Sequence, residues 1–122
     1  MIRKLSLTLA LASLALPSQL LAHEVTIDDA RFQPGSGGWT VSVTLTHAES
    51  GWDEYADGWR VEAPDGTILG ERPLAHPHEN EQPFTRSTSG VMIPKGLTSV
   101  FIRARTNTDG WSEMRKEFTL PR

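Results

Sequence analysis

The chain contains no cysteine. That excludes disulfides, on which small exported domains often depend. It also excludes thiolate metal sites, a cysteine nucleophile and any lipid carried on cysteine. Basic residues are in deficit, 12 Lys and Arg against 15 Asp and Glu, so the chain lacks the cationic surface that binding to nucleic acid phosphates requires. No glycine-rich phosphate loop and no serine in a nucleophile elbow occurs, and the acidic residues of the Trp52 to Asp57 segment show no spacing that defines a catalytic pair. Hydrolytic chemistry therefore finds little support, and no enzyme class is indicated. Internal repeats, low-complexity stretches and linkers are absent too.

What is present begins at the N-terminus. Arg3 and Lys4 precede an apolar run, residues 5–16, broken only by Ser6, Thr8 and Ser13, and Leu20-Leu21-Ala22 follows. This is the secretory signal pattern, and the run is shorter than the roughly 20 residues that span a bilayer. Cleavage after Ala22 is expected, which places the signal peptide at 1–22 and a single domain at 23–122. Removing those 22 residues, two basic and none acidic, from 122 leaves 100 and takes the net charge from −3 to −5. A periplasmic or secreted location follows, with no membrane span in the mature chain.

The mature part reads as strands. Val41, Val43 and Leu45 alternate with Ser42, Thr44 and Thr46, the period of a half-buried strand. Segments 25–32, 58–63, 67–72, 84–92, 99–106 and 114–120 are the other candidates. Val25 and Ile27 lose step with Ala30 and Phe32, which marks an irregularity. Pro64-Asp65-Gly66 and Pro94-Lys95-Gly96 are turn signals, and the polar segment 84–92 belongs at a sheet edge. About seven short strands in one domain predict an all-β, immunoglobulin-like antiparallel sandwich held without a disulfide.

Antiparallel succession of these strands sends His23, His47, His76 and His78 to one end of the sandwich. Trp52, Asp53, Glu54, Tyr55, Asp57, Asp109 and Trp111 go to the same end. Pro77 disfavours helical backbone at His76, and an extended His76-Pro77-His78 directs both imidazoles to one side. His47 is read as outward-facing at the end of its strand. His23 becomes the first residue after cleavage, where α-amine and imidazole both shed protons near neutral pH. Amine and ring can chelate one ion together, with His76, His78 or His47 completing a nitrogen set. Tetragonal nitrogen donors favour Cu(II); zinc is the alternative, through His47, His76, His78 and a carboxylate in tetrahedral array.

His23 and the downstream histidines resemble the histidine brace of CopC-like periplasmic copper proteins, small exported β-sandwiches that begin with histidine after signal cleavage. The resemblance implies copper bound at a loop end and used for carriage or buffering. Residues 51–59 and 76–86 are similar to stretches of small exported bacterial proteins of no assigned activity. The competing expectation is a metal-free module in which Trp52, Tyr55 and Trp111 hold a glycan or a partner protein. It requires exposed, coplanar aromatics and histidines pointing apart.

Overall fold

The computed structural model describes residues 24–122; the expected signal segment 1–22 and His23 lie outside the described residues. The described chain is all-β apart from one short 3-10 turn, Gly51–Asp53. Its strands are β1 Thr26–Gln33, β2 Trp39–Thr46, β3 Ala56–Glu62, β4 Ile68–Pro73, β5 Phe84–Val91, β6 Ser99–Thr106, β7 Gly110–Trp111 and β8 Lys116–Thr119. Two antiparallel sheets form a sandwich, β1-β2-β5 on one side and β4-β3-β6-β7 on the other, with β8 also paired to β6. The expected seven strands are all present. The two-residue β7 is an addition, too short to announce itself by periodicity, and β3 starts two residues earlier than expected. No helix among the described residues is long and apolar enough to cross a membrane.

The alternation on β2 explains why the sheets meet where they do. Val41, Val43 and Leu45 are fully buried and face Trp59 and Val61 of β3 and Val100, Ile102 and Ala104 of β6 in one cluster. Each such side chain contributes roughly 1.5–3 kcal/mol through burial, and no cross-link assists them. The outward faces of β2 and β5 carry a ladder of hydroxyls instead. Ser42 pairs with Ser87 at 2.6 Å and Thr44 with Thr85 at 2.7 Å. These cross-strand pairs let the polar β5 hold its place at the sheet edge, where its composition put it. The irregularity expected in the first strand is a register shift between Ile27 and Asp29.

Two glycines enable the far end of this sheet to close. Gly38 has φ +115°, and a Cβ there would lie 2.8 Å from the backbone carbon of Gly90, itself at φ +71°. The register of β2 on β5 shifts beside this contact, between Trp39 and Val41. Gly38→Ala combines left-handed strain with a backbone clash, so it should cost about 1–3 kcal/mol. A thermal melt checks this, and an unchanged midpoint would show that the glycine contact is dispensable.

The outer face of the second sheet is organised by one buried carboxylate. Glu62 is 1 % exposed. Its Oε2 accepts from Arg60 Nε at 2.7 Å and Arg103 Nε at 2.6 Å, and its Oε1 accepts from Arg103 Nη2 and Arg115 Nη1. Arg103 continues to the carbonyls of Ser112 and Glu113, and Arg115 to those of Ala63 and Pro64. The arginines therefore tie the segment around β7 to β3 through Glu62. Burial alone would raise the Glu62 pKa, but hydrogen bonds and charge from Arg103 and Arg60 prevail and lower it to about 2.

Candidate functional site

The strand directions bring three described segments to one end: 47–55 after β2, 74–83 between β4 and β5, and 107–109 between β6 and β7. Main-chain bonds join them, Asn107 N–H to the Tyr55 carbonyl and Leu74 N–H to that of Asp57. His47, His76 and His78 all lie here. The expected His23 falls outside the described residues. Its neighbour Glu24 receives a hydrogen bond from Ser112 Oγ at 3.0 Å and lines an open, acidic cleft with Glu54, Asp109, Trp111 and Glu113.

His47 is not on the surface, as its assumed outward register implied; it is 2 % exposed. The parity of β2 gives the reason, since position 47 follows the inward-facing Val41, Val43 and Leu45 by steps of two. Burying an imidazole requires partners, and the loop supplies them. Nδ1 lies 2.6 Å from Glu49 Oε2, and Nε2 lies 3.9 Å from Glu54 Oε1. The Glu49 side chain is itself fully buried, and the same Oε2 accepts the Ala56 N–H at 2.9 Å. The histidine thus closes the loop between β2 and β3 from inside.

The two histidines flanking Pro77 come together as the extended tripeptide predicts. Their ring centroids are 4.7 Å apart. His76 is exposed and its Nδ1 lies 3.1 Å from the Pro77 carbonyl. His78 is 5 % exposed, stacked on Phe84 at 4.0 Å with an interplanar angle of 8°. Neither of its ring nitrogens has a hydrogen-bond partner among the described residues. Burial first, then the positive charge of Arg86 and the His76 ring, hold its pKa below the ordinary histidine value. The ring is therefore neutral near pH 7, the form that ligates metals. Arg86 pairs with Glu81 at 3.1 Å.

Gln82 couples the two parts of this region. Its Oε1 accepts the His47 N–H at 2.9 Å, and its Nε2 donates to the His78 carbonyl at 3.0 Å. Across the end of the sandwich the order runs from the Glu24 cleft through Glu54, His47 with Glu49, and Gln82 to His78 and His76. β1 and β5 lie on opposite edges of their sheet, about 10 Å apart at two strand spacings. The chain entry at Glu24 and the histidine pair accordingly flank His47 from opposite sides.

Among the described residues, no three His, Asp or Glu side chains converge closely enough to hold a metal ion as they stand. The histidine pair supplies two nitrogens, a starting set that needs further donors. The loop aromatics do not form a platform. Trp52 is exposed and meets Tyr55 edge to face, at 76° and 5.5 Å. Trp111 belongs to β7 and lies under the guanidinium of Arg60 at 4.1 Å, with that of Arg105 at 5.3 Å. Glu49 and Gln82 drew no attention as sequence, because neither has a signal beyond its position between two histidine-bearing segments.

No protein-family model matches the chain, and no solved structure matches it. It is similar to a protein of Halomicrobium mukohataei named "Putative lipoprotein", with 42 % identity over 96 residues. The match covers 77 % of this chain and 46 % of that protein, so the chain spans less than half the length of its relative.

Proposed function

We propose that this is an exported, cell-envelope protein that binds a transition metal ion at the histidine end of its β-sandwich, for carriage or buffering of the metal. The observation that carries the reading is His78: an imidazole 5 % exposed, with both nitrogens unpartnered among the described residues and the His76 ring beside it. A buried polar group without a partner costs roughly 1–3 kcal/mol, a cost that coordination of an ion would offset. Export is supported by the signal pattern of residues 1–22 and by the name of the relative, "Putative lipoprotein".

Copper is the first choice of metal, because imidazole suits it and it stands highest among the divalent ions in intrinsic affinity. His76 and His78 form the nucleus, His47 lies next to them through Gln82, and the amine and ring of His23 would complete a nitrogen set after cleavage. Zinc is the second choice, in a tetrahedral site with a carboxylate. The alternative module built on aromatics has less support, since Trp52, Tyr55 and Trp111 share no plane.

A Cu(II) titration followed by electron paramagnetic resonance tests the reading on protein whose N-terminus is confirmed as His23 by intact mass. One equivalent should give a tetragonal, nitrogen-ligated signal, lost in His76→Ala/His78→Ala. One extra residue before His23 should change that signal. Absence of stoichiometric binding would overturn the metal reading, and indifference to the extension would remove the amine chelate from it.

A further inference from the structure

The geometry points to Glu49 as the buried counter-charge for the ion held at the histidine pair, an inference that rests on the metal reading above. Three observations converge on it. First, Glu49 has no exposed side-chain surface, and an ionised carboxylate in such a place requires compensation. Secondly, its two oxygens are treated unequally: Oε2 takes both the His47 ring and the Ala56 N–H, while Oε1 has no hydrogen-bond partner among the described residues. Thirdly, the orphaned oxygen and the orphaned nitrogens of His78 belong to adjoining loops that Gln82 clamps together, and the Glu49 charge is felt at the His78 ring. A cation entering beside His78 would take the unprotonated ring nitrogen as a ligand and offset the charge of the orphaned Glu49 oxygen.

Glu49 acts in this scheme as a positioning residue. The His47 ring, with Nδ1 2.6 Å from Oε2, fixes the carboxylate, and the carboxylate supplies negative charge close to the ion without needing a bond to it. Its arrangement follows the outer-shell pattern in which a carboxylate and a histidine sustain a metal site, where removal of the supporting group typically costs 10–100-fold in affinity. Glu79 and Glu81, exposed on the segment of the histidine pair, add negative charge more weakly, because solvent screens both and Arg86 pairs with Glu81.

The test compares Cu(II), Zn(II) and Ag(I) binding at pH 8 to the wild type and to Glu49→Gln, in chloride-free buffer. A counter-charge interacts with a divalent ion twice as strongly as with a monovalent one at the same place. Glu49→Gln should therefore weaken Cu(II) and Zn(II) by about 10–100-fold, and Ag(I) by about the square root of that factor. Glu49→Asp, which keeps the charge, should restore the preference for divalent ions, and it carries the test if the glutamine variant does not fold. Equal losses for all three ions, or none, would overturn the role of Glu49. Binding that survives in His76→Ala/His78→Ala would instead overturn the histidine-pair reading, whatever Glu49→Gln does.

Discussion

Glu62→Ala is expected to destabilise the domain by about 3–5 kcal/mol, because it leaves the guanidiniums of Arg60, Arg103 and Arg115 crowded together without their shared anion. The same carboxylate governs behaviour in acid. Its pKa is 4.5 in the absence of the fold and about 2 within it, so the unfolded chain binds the proton more readily. The stabilisation linked to that difference is fully present above pH 4.5 and is lost as the pH falls through about 2. Its size is about 3 kcal/mol, from 1.36 kcal/mol per pKa unit. Urea unfolding at pH 7, 4 and 2.5 should show the wild type losing stability across this window. Glu62→Gln should lack that part of the slope. A wild type and glutamine variant with parallel pH profiles would show that the arginine cluster does not depend on the charge of Glu62.

His78→Leu should separate stability from function. For a residue whose role is packing against Phe84, leucine of similar size keeps most of the apolar contact and removes two unpartnered nitrogens. Fold stability should stay level or rise by up to about 1 kcal/mol, since replacing an unsatisfied polar group by an apolar one of like shape is neutral or favourable. Metal affinity should fall by at least about 100-fold, or roughly 2.7 kcal/mol. Chemical denaturation and a Cu(II) titration of the same preparation read both quantities. A variant that loses stability while keeping its metal affinity would assign His78 to structure alone. Opposite movement of the two is the mark of a group retained for binding at the expense of the fold.

Much of the fold was legible in advance. Val41, Val43 and Leu45 announce β2 because a sheet with one face on the core imposes a period of two. The turn sequences Pro64-Asp65-Gly66 and Pro94-Lys95-Gly96 separate β3 from β4 and β5 from β6, and the polarity of 84–92 correctly predicted an edge. β7 escaped because two residues carry no period. The polar character of His47 misleads, because the parity of β2 turns the ring inward. Polarity suggests solvent, whereas the register demands burial and Glu49 makes that burial tolerable.

The candidate site divides in the same way. His76-Pro77-His78 is a local feature, and the proximity of its rings follows from proline stereochemistry and extended backbone. The roles separating those rings are not local: Phe84 covers His78 and leaves His76 in solvent, a difference set by where β5 begins. Glu49 and Gln82 are ordinary loop residues in sequence, and each gains meaning only from the histidine that the folded loops bring to it. Alternation, turn chemistry and a cysteine-free composition were enough to determine an all-β sandwich with its three described histidines at one end, because those properties act over a few residues at a time. Which histidine is buried, which carboxylate accompanies it and which atoms are left without a partner were decided by the packing of the loops 47–55 and 74–83. Those contacts join residues 35 positions apart, as between His47 and Gln82, and no short-range pattern encodes them.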